Sequence, residues 1–136
     1  MTSITYSEDI SSIGWDELKQ RLVEDDFDNG RTPEQYRLSA EGSRVNVFAF
    51  ADGKIIGNLR VLSDGVCNAY MVDVWTFSPF RAQGIAKRMI EIALSRLPGQ
   101  HVHLFTDDAR GLYEKCGFEV QGCGMGRVVG QWLKNQ

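Results

Sequence analysis

The run Arg81-Ala82-Gln83-Gly84-Ile85-Ala86 follows an apolar, strand-like stretch closed by Pro79 and opens an amphipathic helix. The first backbone N–H groups of a helix lack intrahelical partners and sit at the positive end of its macrodipole, so phosphate oxygens placed there need few side chains to hold them. Gly84 lets a ligand approach the backbone closely. Lys87 and Arg88 fall in the first turns, where cations oppose the dipole, a placement that makes more sense beside a polyanion than on a helix standing alone. The segment is read as a pyrophosphate site.

Other reactive side chains give weaker signals. His101 and His103 lie two apart on one strand face and permit a metal pair in principle, but no third ligand stands at matching spacing, so no metal is expected. The three cysteines, Cys67, Cys116 and Cys123, form no CxxC pair and are odd in number. Reduced thiols in the cytoplasm are the simpler expectation. Cys116 has no adjoining histidine or basic cluster and is better placed for packing than for nucleophilic work. Trp15 and Trp132 read as packing residues. Asp25, Asp26 and Asp28, in the acidic stretch Glu24 to Gly30, could draw in a cationic substrate, although a charge run is more often solvated surface.

The elements that must position these groups follow from periodicity. Ile4 and Tyr6 alternate with polar residues as a first strand, and Trp15, Leu18 and Leu22 recur at helical spacing. Thr32-Pro33-Glu34-Gln35 predicts a helix start with Thr32 as N-cap and Gln35 completing a capping box. Val45 to Ala51 and Lys54 to Leu62 are apolar runs joined by Asp52-Gly53, a tight-hairpin signal. A turn at Ser63-Asp64-Gly65 leads to a third antiparallel strand, Asn68 to Phe77. Ala82 to Leu97 reads as a helix whose apolar stripe includes Ile85, Met89, Ile92 and Ala93, stopped by Pro98-Gly99. His101 to Phe105 is a short strand, Asp108 to Cys116 a short helix ended by Gly117, and Phe118 to Val120 begins a final strand pair. The expected class is mixed α/β (α+β), not doubly wound, in a single domain over residues 1–136.

Composition excludes several partners. A chain of 136 residues with 43% apolar content suits one core, and near that size roughly two-thirds of the unfolded surface is buried. The net charge of −3, without a basic tail or face, speaks against nucleic acid and fits a positively charged substrate better. No apolar run reaches the roughly 18 residues of a membrane span, and the acidic first thirty residues do not resemble a secretion signal. A soluble protein without a membrane partner is expected.

Taken in this element order, Arg81 to Ala86 and Leu112-Tyr113-Glu114-Lys115-Cys116-Gly117-Phe118 resemble two signatures of the GNAT superfamily of N-acetyltransferases: Gln/Arg-x-x-Gly-x-Gly/Ala after a strand, and Tyr-Glu-x-x-Gly-Phe on a later helix. The resemblance extends from Ser3 to about Val129. Arg60 to Gly65, Asn68-Ala69, Val72-Asp73-Val74 and Leu104 to Asp107 look similar to the plant plastid serotonin acetyltransferase-like branch and its bacterial relatives. That branch suggests an amine acceptor of the arylalkylamine kind, although substrate identity drifts among proteins sharing a fold.

The resemblance implies a mostly antiparallel sheet flanked by about four helices, with two parallel strands splaying apart to admit acetyl-CoA. Trp75, Thr76 and Phe77 would offer backbone groups to the pantetheine amides, as an added strand does, and one N–H would polarise the thioester carbonyl. Ala82, Gln83, Gly84, Ile85, Ala86 and Lys87 would wrap the pyrophosphate, with Arg81 and Arg88 pairing to phosphates. Thr106, seven residues before Tyr113, stands where the family often has Asn and would meet pantetheine with fewer donors. Tyr113 would protonate the leaving sulfur. No sequence signal fixes the general base; Asp73 is the leading candidate, although Arg60 could be its structural partner, and Asp107 and Asp108 are alternatives.

Three functions fit: an N-acetyltransferase of small amines by direct transfer, a silent CoA-binding module, and an acetyltransferase of protein N-termini or lysines. A homodimer is suggested by the glycine-rich run Gly122 to Gly126, since late strands of the superfamily commonly pair between subunits.

Overall fold

The computed structural model describes residues 2–135 of the chain, which divides into two compact units, Met1–Leu104 and Phe105–Gln136. The first unit runs β1 (Ile4–Ser7), α1 (Trp15–Glu24), α2 (Pro33–Glu41), β2 (Val45–Ala51), β3 (Lys54–Ser63), β4 (Asn68–Thr76), α3 (Ile85–Ser95) and β5 (His101–His103). Its strands form one sheet in the order β1-β2-β3-β4-β5, antiparallel throughout except for the parallel pair β4 and β5. This is the mixed, mostly antiparallel architecture expected.

Helices cover both faces of that sheet. Phe48 and Trp75 pack with Leu18 and Leu22 of α1 and Tyr36 of α2 in one buried cluster. The next residue, Ala49, points to the opposite face, as strand alternation requires. There a Cβ added at Gly57 would lie 2.9 Å from Ala49 and 3.0 Å from Met89 of α3. Glycine at 57 therefore lets α3 press onto the strands. The hairpin between β2 and β3 turns on Asp52 (φ 49°) and Gly53 (φ 82°), the two positive angles that a tight primed turn demands.

A bulge interrupts β3 and β4: Asn58 faces Trp75 but Arg60 faces Val72, so β4 carries one extra residue there. Asp73, with φ 58°, lies in that stretch and takes the left-handed conformation an aspartate tolerates.

The second unit holds α4 (Arg110–Lys115). The strand expected over Phe118 to Val120 and its pairing partner are not formed; among the described residues none after α4 is in a strand. Positive φ angles at Gly117, Gly122, Gly130 and Leu133 break up any extended run. Boundaries also move inward: α3 begins at Ile85 rather than Ala82, α4 at Arg110 rather than Asp108, and β5 ends at His103 rather than Phe105.

Candidate active site

The segment Arg81 to Gly84 is an exposed turn, and α3 starts only after it because Ala82 (φ 62°) and Gly84 (φ 81°) both adopt left-handed conformations. Gly84 is the N-cap of α3, and no side chain caps the helix. The first helical bond runs from Arg88 N–H to the Gly84 carbonyl at 3.0 Å, so the N–H groups of the first turn have no partner within the helix. A Cβ at Gly84 would meet nothing within 4 Å. The sequence leaves these donors open, and Lys87 and Arg88 stand exposed beside them. An anion with several oxygens fits such a start.

Next to this turn the sheet opens. β4 and β5 pair only at Asn68 with His101, Ala69 with Val102 and Tyr70 with His103, whereas β4 continues to Thr76. The last six residues of β4 thus have no strand partner on that edge among the described residues.

Of Trp75, Thr76 and Phe77, only one presents its backbone there. Phe77 N–H donates to the Ile56 carbonyl at 2.7 Å, and its carbonyl accepts from Phe80 N–H at 2.8 Å. Strand alternation then turns Trp75 towards β3 and Thr76 towards the open edge. The Thr76 side chain is buried and its hydroxyl has no hydrogen-bond partner. Phe77 N–H already belongs to the sheet, and Thr76 is the residue of the three whose backbone turns to the open edge.

Arg81 has partners within the protein. Its Nε donates to the Thr76 carbonyl at 3.0 Å and its Nη2 to Asp25 at 3.0 Å. Asp25, at the C-terminal end of α1, also accepts from Trp75 Nε1 at 2.8 Å, from Ser78 N–H and from the Ser78 hydroxyl. Burial pushes the Asp25 carboxyl up, and the donors from Ser78 and Trp75 with the charge of Arg81 outweigh it, so the group ends below the ordinary range.

Asp28 is likewise tied, to Lys19 at 2.8 Å and to the Tyr36 hydroxyl at 2.7 Å. Two of the three acidic-loop carboxylates therefore brace the fold.

At the bulge, Asp73 Oδ2 accepts from Arg31 Nη2 at 2.7 Å and from Arg60 Nε at 2.6 Å. Arg31 is buried, stacks on Tyr36 at 4.1 Å and donates to Asn29 Oδ1 at 3.0 Å. The Arg60 partnership raised from sequence is present, and Arg31 is a second partner that no local pattern announced.

In the second unit, Tyr113 is buried on α4 with its ring edge-on to Phe118. Burial, reinforced by the nearby Cys116 and Asp108 charges, pushes its phenol up to about 12. Thr106 Oγ1 accepts from Ala109 N–H at 3.0 Å, so its oxygen braces the turn before α4. Asp107 and Asp108 are exposed. Among the described residues no cluster of three or more His, Cys, Asp or Glu could hold a metal, and no helix is long and apolar enough to cross a membrane.

Residues 9–118 match the Acetyltransferase (GNAT) family. The chain belongs to that family. Solved structures share the GNAT fold: a GNAT-family protein of Xanthomonas campestris is 27% identical over 95% of each chain with a TM-score of 0.80. Glucosamine-6-phosphate N-acetyltransferase of Arabidopsis thaliana is 19% identical over 93% of this chain and 98% of that one, with a TM-score of 0.71. A GNAT acetyltransferase of Brucella melitensis, solved with acetyl-CoA, is 16% identical over 87% of this chain and 84% of that one, with a TM-score of 0.63. No curated protein sequence matches significantly.

Membership of the GNAT family supports acetyl-CoA-dependent acetyl transfer, and the residues here fit that donor: open helix donors for a diphosphate, a free strand edge for amides and an unpartnered Thr76 hydroxyl beside it. Sequence reasoning undervalued Asp25, Arg31 and Ser78. A carboxylate in an acidic run and an isolated arginine look like surface until the fold shows what faces them.

Proposed function

We propose that this protein is an N-acetyltransferase that passes the acetyl group of acetyl-CoA directly to the primary amine of a small molecule in a ternary complex, without an acyl-enzyme. The observation that carries it is the uncapped start of α3 at Gly84 beside the unpaired edge of β4. Acetyl-CoA arrives with its acetyl group already activated as a thioester. The N–H groups from Gly84 to Lys87 take the diphosphate, Lys87 and Arg88 add charge, and the Thr76 N–H, its carbonyl being held by Arg81, donates to a pantetheine amide. The names of two relatives support a CoA thioester donor and a small amine acceptor. The resemblance to the plastid serotonin branch makes an arylalkylamine the first acceptor to try.

Asp73 attracts the ammonium group and takes its proton, directly or through water. Both arginines bond Oδ2, so Oδ1 is the oxygen assigned to the amine. Tyr113 supplies the proton to the departing sulfur. An ordinary phenol of pKa about 10 would do so uphill by about 2 kcal/mol against a thiol near 8.5; at about 12 the cost rises to about 5 kcal/mol. That remains below typical enzymatic barrier reductions of roughly 8 kcal/mol or more. The raised value also keeps the hydroxyl protonated across the working pH range.

The test is acetyl-CoA turnover, read as amine-dependent thiol release, over aromatic amines, polyamines, aminoglycosides and peptides. Tyr113→Phe is expected to lower kcat about a hundredfold and leave CoA affinity unchanged. Turnover confined to peptides, or an unaltered kcat in the variant, would refute the small-amine acceptor or the acid respectively.

A further inference from the structure

Asp25 stands apart from the other acidic-loop residues because three separate pieces of β4 and its exit converge on it. Its side chain is only 5% exposed, whereas that of Arg81 is 54% exposed. Trp75 Nε1 reaches it from the last residues of β4. Ser78 donates both its backbone N–H and its hydroxyl from the short turn Ser78–Phe80 that follows. Arg81 Nη2 reaches it from the first residue of the phosphate turn, while Arg81 Nε holds the Thr76 carbonyl. One carboxylate at the end of α1 thereby bonds the last residues of β4, the turn after it and the first residue of the segment leading to Ala82 and Gly84.

We infer that Asp25 is a positioning residue for the coenzyme: acting through Arg81 and Ser78, it sets the aim of the open N–H groups at the start of α3. The inference rests on reading that turn as the diphosphate site. Donors aimed beforehand bind an anion without first being ordered, and ordering is a large part of what association costs. Arg81 is then an anchor of the turn, its charge matched by Asp25 rather than spent on a phosphate. Lys87 and Arg88 are left as the cations facing the ligand.

A residue that merely held α1 on the sheet would affect every ligand alike. Asp25 acting on the turn weakens most the ligands that carry the diphosphate, while Thr76 keeps its place in β4 by its pairing with Gly57 of β3. The experiment is a pair of binding titrations, with CoA and with pantetheine, which shares the thiol arm and lacks the diphosphate. Asp25→Asn is expected to weaken CoA about tenfold, the loss of a hydrogen bond to a charged group, and to leave pantetheine within about twofold. Combining it with Arg81→Gln should add little, because both changes release the same turn.

Should Asp25→Asn fail to fold, Ser78→Ala removes one donor to the carboxylate and should weaken CoA about threefold with the same selectivity. Equal loss of both ligands, or no loss of CoA, overturns the positioning role while leaving the coenzyme reading intact. Failure of the unaltered protein to bind CoA overturns the coenzyme reading itself.

Discussion

The two helix starts α2 and α3 solve the same problem in opposite ways. At α2, Thr32 Oγ1 accepts from Gln35 N–H at 3.1 Å, Gln35 Oε1 accepts from Thr32 N–H at 3.0 Å, and Glu34 places a carboxylate in the first turn. Every device that satisfies a helix N-terminus is supplied by the local chain. At α3 none is: the cap is a left-handed glycine, no side chain accepts from the first turn, and that turn holds Lys87 and no acid. A start that satisfies itself is scaffold. One whose donors are left open to solvent and flanked by cations stores binding capacity for an anion, at the cost of a less stable helix end.

The largest expected effect comes from making α3 resemble α2. Gly84→Asp puts a carboxylate among the open donors, at a residue type that tolerates positive φ and in space where a Cβ meets nothing. CoA affinity measured calorimetrically should fall at least about a hundredfold through like-charge repulsion, far more than the modest drop in Tm that a side chain at this positive φ imposes. Unaltered affinity would mean that the diphosphate lies elsewhere.

The reverse change is smaller and of another kind. Thr32→Ala should cost about 1 kcal/mol in urea unfolding and leave CoA affinity as it was. A selective loss of CoA binding would erase the distinction between the two starts.

The smallest effect concerns acid. Burial pushes the Asp28 carboxyl up, but donors from Lys19 and Tyr36 and the Lys19 charge prevail, leaving it below the ordinary carboxylate value of 3.8. A depressed native value means stability that is complete above that pH and lost as pH falls below it. Unfolding monitored from pH 6 to 2 should therefore show little loss before about pH 4, and Asp28→Asn should flatten the acid limb. An unchanged acid limb in the variant would remove Asp28 from the brace.

Much of the scaffold was legible because its signals are local. The capping box at Thr32 and the hairpin at Asp52-Gly53 each depend on residues within four positions of one another, and both formed as read. The final strand failed because the apolar residues Phe118 and Val120 suggest extended structure, whereas Gly117 and Gly122 on either side of them turn left-handed. The site was half legible. The open turn at Gly84 could be read, but the duties of Trp75, Phe77 and Arg81 could not, since which backbone groups are already spent depends on the strand opposite.

By itself the sequence determined the capping box, the tight turn, the apolar strands and a glycine turn at the start of α3. Tertiary structure alone decided that Asp25 meets Arg81 across 56 positions and that Arg31 meets Asp73 across 42. The physical reason is range. Caps and turns are closed by neighbours along the chain, whereas a long-range ion pair is chosen by register, by one extra residue in β4 and by which helix lies over it, none of which leaves a period in the sequence.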